Sequence, residues 1–198
     1  MTLPWSITTT VRNPLRNRDF LKIISEFEGQ KFDEKVQVMF QVRLIEEKLY
    51  KPNKIPPQHQ NLINSNSTIT NQVAKEIFDF NQYLDPPMRG RQSANPLNKL
   101  GFAIARKNYD KIIITPLGKK FLEDEYDISY IFLKSLIKIQ FPNPWSTSFA
   151  KEKGFNINPF ISTLHLLNEI NKKSDTHGLT QSEFAVFVPT LNKFDGID

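Results

Sequence analysis

Proline sets the punctuation of this chain. Asn13-Pro14, Asn95-Pro96 and Asn158-Pro159 each put a side chain that accepts hydrogen bonds directly before a residue with φ held near the helical value, and Thr115-Pro116 repeats the device. Such pairs open helices. Elsewhere proline and glycine close them, since proline lacks the N–H that the next turn requires. The spacing predicts a series of helices of moderate length.

Phe20, Ile23, Ile24 and Phe27 follow the first pair at helical spacing until Gly29, predicting a helix over roughly 15–28. Asp33 can cap a second helix with Val38, Met39, Val42, Ile45 and Leu49 on its apolar stripe, ended by Pro52, and the two are expected to pack as a hairpin. Residues 51–68 are rich in Pro and Asn and read as a long connection. Val73, Ile77, Phe80 and Leu84 mark a third helix, closed by Pro86-Pro87. The segment Met88-Arg89-Gly90-Arg91-Gln92-Ser93 then reads as a basic turn, and Asn95-Pro96 opens a short helix that Gly101 can end in a left-handed conformation.

Two β-favouring runs, 102–106 and 111–115, flank Lys107-Asn108-Tyr109-Asp110 and predict a hairpin. Thr115-Pro116 starts a helix with Leu117, Phe121 and Leu122 inward. Helix, short hairpin and helix in this order resemble the end of a winged helix. Beyond it, Asp127 caps an apolar helix over 128–139, and Phe160, Ile161, Leu164, Leu167 and Ile170 are the expected buried face of the helix begun by Asn158-Pro159. Thr180-Gln181-Ser182-Glu183 is a capping box, with Leu179 and Phe184 placed for a hydrophobic staple. The fold class is therefore mainly α with a small β-hairpin and winged-helix-like subdomains. Three subdomains are expected: 1–68, helical with a basic arm; 69–126, winged-helix-like; and 127–198, helical.

Charge distribution bears on the partner. The net charge is +5, but residues 86–120 alone carry Arg89, Arg91, Lys99, Arg106, Lys107, Lys111, Lys119 and Lys120 against the single acid Asp110. Residues 1–18 hold Arg12, Arg16 and Arg18 and no acid, whereas residues 121–198 hold ten acids against seven bases. Basic, acid-poor segments suit a polyanion. With no cysteine there is no disulfide or thiolate metal site, and with no apolar leader or span an intracellular, cytoplasmic protein without membrane association is the expectation.

Catalytic patterns are absent from the sequence. There is no GxxxxGK[ST] or GxGxxG, and His59, His165 and His177 are scattered. Asp33-Glu34-Lys35 and Glu46-Glu47-Lys48 match acid-x-Lys, but both fall on an amphipathic helix and suit solvated charges better than a magnesium-binding nuclease strand. The basic elements carry the stronger signal. Arg89, Arg91, Gln92 and Ser93 combine groups that match base edges with groups that hold phosphate, just ahead of an expected helix N-terminus. The bland alternative is a solvated basic loop whose arginines pair with the acids at 123–127.

Taken in order, PWSITTTVRNPLRNRDFLKIISEFEGQKFDEKVQVMFQVRLIEEKLYKP, DPPMRGRQSANPLNKLGF, IIITPLGKKF, FLKSLIKIQFPNP and GFNINPFISTLHLL resemble the AlwI family of type IIS restriction endonucleases over nearly the whole chain. The resemblance implies a protein that binds a short asymmetric site on double-stranded DNA through an N-terminal recognition region. It also implies a separate C-terminal nuclease domain that cuts to one side. The chain corresponds to the N-terminal part, so it is expected to be a fragment with no catalytic residue and no cofactor of its own, Mg2+ being needed by the full-length parent. The relatives' arginine-rich turn falls on Arg89 and Arg91, and their N-terminal stretch on Arg12, Arg16 and Arg18. Arg89, Arg91, Gln92 and Ser93 are expected to read bases as a monomer on DNA, with Lys99, Arg106, Lys107, Lys111 and the N-terminal arginines on phosphate. A winged-helix transcriptional regulator, a small self-contained endonuclease and a protein-interaction domain remain alternatives.

Overall fold

The computed structural model describes residues 4–7, 13–173 and 178–194. Among them lie nine α-helices, several single 3-10 turns and one two-stranded antiparallel sheet, so the chain is mainly helical. It divides into two compact units, Thr9–Ile131 and Phe132–Asp198 with Met1–Thr8. The expected boundary at 68/69 falls inside the first of these, and residues 1–8 of the expected 1–68 subdomain group with the second.

In the Thr9–Ile131 unit, α1 (Pro14–Ser25) opens as expected, with the Asn13 side chain accepting from Leu15 N at 2.9 Å. Asp33 caps α2 (Glu34–Glu46) through Val36 N at 2.9 Å. The connection after α2 holds a 3-10 turn and the short α3 (Gln60–Asn64), whose C-terminal carbonyls accept from Lys48 Nζ. Next comes α4 (Asn71–Phe80), capped by Thr70.

The basic segment is not a turn. Pro86-Pro87 opens a helix rather than closing one, and α5 runs from Pro86 to Lys99 through both Gly90 and Pro96, with Asp85 as its N-cap. Two features explain it. Proline suits the first turn of a helix, where its missing N–H costs nothing. Gly90, Ser93, Ala94 and Leu97 then fall at helical spacing and are all buried, against α2. Small residues let the two backbones close in: a Cβ at position 90 would stand 2.1 Å from the Gln37 carbonyl oxygen.

After α5, Gly101 adopts φ +75°, and β1 (Ala103–Ile104) pairs with β2 (Ile113–Ile114) in the register Ala103 to Ile114 and Ile104 to Ile113. Residues between α1 and α2 hold the hairpin's second arm. Gly29 N donates to Ile112 O at 2.9 Å, Ile112 N to Gln30 O at 2.7 Å, and Ile114 N to the Glu28 carboxylate at 3.0 Å. Thr115 then caps α6 (Pro116–Leu122), with Phe121 buried.

The core of this unit is phenylalanine-rich. Phe20, Phe32, Phe40, Phe102 and Phe121 are all fully buried, with Leu21, Ile24, Leu44 and Ile45 among them. Burial differs from the expected stripes in three helices. In α2, Phe40 and Leu44 are inside and Met39 is exposed; in α4, Ala74, Ile77 and Phe78 are inside while Phe80 is exposed, as is Leu84 beyond the helix. Packing on more than one side turns the inward face of α2 away from a single 3.6-residue stripe.

In α8 (Pro159–Lys173) Pro159 and Ser162 are buried, whereas Ile161 and Leu164 are exposed. That helix belongs to the Phe132–Asp198 unit, and the division between units falls within α7 (Ile128–Leu136). The second unit is built on Phe141, Phe155 and Ile157, onto which Trp5, Ile7, Phe149 and Leu191 pack. Trp5 Nε1 donates to Leu191 O at 2.9 Å, so residues near the N-terminus serve this core. The capping box of α9 (Gln181–Phe187) forms as expected, with Thr180 and Glu183 bonded reciprocally. No helix among the described residues is long and apolar enough to cross a membrane.

Candidate nucleic-acid interface

The N-terminal half of α5 carries three of the four residues expected to read bases in accessible or half-buried positions. The Arg89 guanidinium lies 4.7 Å above the Tyr83 ring and donates to Gln92 Oε1 at 3.3 Å, so Arg89 and the exposed Gln92 present one joined polar edge a helical turn apart. Arg89 Nε is buried with no hydrogen-bond partner among the described residues. Burial, and then the neighbouring Tyr50, push the Tyr83 hydroxyl up to about 12, keeping the platform neutral beneath the cation.

Arg91 is held differently. Its Nη1 donates to Gln37 Oε1 at 2.9 Å and its Nη2 to Asp85 Oδ2 at 2.5 Å. The acid it meets is the N-cap of its own helix, not any of those at 123–127. Ser93 faces inward at 5% exposure, its hydroxyl bonded to Gln41 Oε1 at 2.7 Å. The structure thus places this hydroxyl in the seam between α2 and α5, away from any surface ligand.

At the other end of α5, Asn98 ties the helix to the hairpin. Its side chain donates to Ala105 O at 3.0 Å and accepts from Ala105 N at 2.8 Å. The residues beside that clamp are Lys99 and Arg106, which it brings together. Both are half-buried cations held below their usual pKa, Lys99 by burial and then by the Arg106 charge, Arg106 chiefly by burial. An approaching anion would favour the charged form of both.

Lys107 and Lys111 are exposed on the hairpin, Lys107 paired with Glu34 at 3.2 Å. Glu34, Asp85, Arg91 and Lys107 line a cleft of about 440 Å3 with Leu84, Pro86 and Pro87. Neither acid was part of the sequence-based site. Their signal was present only as a cap and a helix start.

The N-terminal arginines separate. Arg12 lies outside the described residues. Arg16 is exposed, bonded to Leu49 O at 2.9 Å and set 5.4 Å from the Phe20 ring centroid. Arg18 closes the C-terminus of α6, donating to the carbonyls of Phe121 at 2.8 Å, Leu122 at 3.2 Å and Glu123 at 3.0 Å, with its guanidinium over Tyr126. Those bonds occupy its fork with backbone that would otherwise lack donors. Among the described residues no group of three or more His, Asp or Glu could hold a metal ion.

Lys99 and Arg106 thus stand as neighbouring half-buried cations where α5 meets the hairpin of a mainly helical protein. Residues 98–198 match the family of the AlwI restriction endonuclease, and the chain belongs to that family. It is thus a member of a restriction-endonuclease family, and DNA is the partner that membership implies. No curated protein matches the chain.

Proposed function

We propose that the Thr9–Ile131 unit is the sequence-specific recognition part of a type IIS restriction or nicking endonuclease. On this reading it binds a short asymmetric duplex site as a monomer, with α5 toward the major groove and α5, the hairpin and α6 acting as a winged-helix-like element. Arg89 and Gln92 read base edges, with Arg91 beside them, while Lys99, Arg106, Lys107, Lys111 and Arg16 meet phosphates. Cleavage belongs to a separate C-terminal nuclease domain, which would supply the magnesium site.

The observation that carries this reading is the Lys99 and Arg106 pair. Two cations are held side by side at a cost to their charged forms, at the end of the helix that carries the joined Arg89 and Gln92 edge.

Selection of bound duplexes from a random pool tests it directly. One asymmetric consensus, with affinity falling steeply as salt rises, is the expected result. A palindromic consensus bound by a dimer would instead favour a winged-helix regulator. Failure to retain any duplex at low salt would reject DNA recognition by this chain.

A further inference from the structure

The same edge holds an apolar group as well as cations. Leu84 is 106% exposed, more than any other large apolar side chain described. A lone exposed leucine is ordinary in itself, but this one is braced on both sides. Before it, Tyr83 packs 5.3 Å from the Phe78 ring and carries Arg89 above it. After it, Asp85 accepts from Met88 N at 3.0 Å, and Pro86 and Pro87 restrict the next two φ angles. Leu84 is therefore held out into water by a cap and a core aromatic. It also shares its cleft with two ion pairs, Arg91 with Asp85 and Lys107 with Glu34.

An apolar finger just ahead of the joined Arg89 and Gln92 edge suits a ligand that sets an apolar spot beside hydrogen-bonding groups. Double-stranded DNA offers one: the thymine C5-methyl is the apolar mark in the major-groove code, and phosphates run along both edges of that groove. We propose that Leu84 is a specificity-determining residue that packs on one thymine methyl of the recognised site. This rests on the recognition reading above and adds a base identity to it. Neither Arg89 nor Gln92 can supply that identity through the methyl, because both act through hydrogen bonds.

Uracil pairs as thymine does and lacks only the methyl. In the duplex obtained by selection, each thymine is replaced in turn by uracil, and Kd is measured for the wild-type chain, Leu84→Ala and Leu84→Met. The wild type is expected to lose about fourfold at one position, the worth of one buried methyl-sized group. Leu84→Ala should bind the thymine duplex about as weakly as the wild type binds that uracil duplex, with no further loss on substitution. Leu84→Met should keep most of the sensitivity. Unchanged unfolding midpoints are expected, since the side chain touches no core.

A selected site without thymine, indifference of the wild type to every uracil, or a full uracil effect retained in Leu84→Ala would each overturn the proposal while leaving DNA recognition standing. If 2-aminopurine in the site brightens on binding, and does so only with Leu84 present, the side chain is wedging between base pairs and the methyl contact is wrong. If the wild-type chain selects no sequence at all, the recognition reading fails and takes this one with it.

Discussion

Asn98 holds the backbone of Ala105 from both sides, donating to its carbonyl at 3.0 Å and accepting from its N–H at 2.8 Å. A third bond, to Ala94 O at 2.9 Å, fixes the amide within α5. One side chain thereby does what a paired strand does, joining helix to hairpin and setting Lys99 beside Arg106. Asn98→Ala leaves a buried donor and acceptor without partners, and should cost about 2–4 kcal/mol. Urea unfolding measures it. A loss below about 0.5 kcal/mol would mean that the clamp is incidental.

Gly90 marks the closest approach of α2 and α5. Gly90→Ala sets a methyl against the Gln37 carbonyl, and neither backbone can yield without shifting Gln37 and Gln41 in the seam. The expected loss is about 1–3 kcal/mol, even though alanine is the better helix former. A stabilised variant would show that the helices stand further apart.

The two N-terminal arginines should respond differently. Arg18→Ala frees three carbonyls at the end of α6 and should destabilise the fold by about 1–3 kcal/mol. Under conditions where it remains folded, the salt dependence of DNA binding should stay unchanged. Arg16→Ala should leave the unfolding midpoint nearly unmoved and lower the salt slope.

Arg89 and Lys107 separate base reading from phosphate contact. Arg89→Ala should cost on the order of 1–3 kcal/mol on the selected duplex and little on random DNA, whereas Lys107→Ala should weaken both alike. Because Lys107 and Glu34 form an exposed pair, the second change should hardly alter stability. Equal loss on both duplexes for Arg89→Ala would sink the base-reading role.

Tyr83 gives a pH signature. Its hydroxyl is pushed up to about 12 from the ordinary 10, so the folded state favours the neutral phenol. The stability this contributes is complete below about pH 10 and is lost as pH rises from there through 12. Absorbance of ionised tyrosine should show one late-titrating group, missing in Tyr83→Phe. Titration of every tyrosine near pH 10 would contradict it.

Much of the fold was legible because capping is local. Asn13, Asp33, Thr115, Asp127 and Thr180 each bond within a few residues of themselves, so the sequence alone located those helix starts and the hairpin. The error at 86–99 has a physical cause. Gly90 and Pro96 weigh against a helix locally, and only burial of the small-residue face against α2 outweighs them. The spacing of Gly90, Ser93, Ala94 and Leu97 was the signal available. It was hidden by the charged residues between.

By itself the sequence determined the helical class, the helix starts, and a basic, acid-poor centre from Arg89 to Lys120, since these depend on neighbours in the chain. Tertiary structure decided what each cation does. Arg18 meets carbonyls 103 to 105 residues away, Arg91 meets Gln37 54 residues away, and Ser93 turns inward to Gln41. A charge or hydroxyl is spent on the fold or left for a ligand according to which buried acceptors lie within reach. Those acceptors come from distant segments, so only the packed chain brings them there.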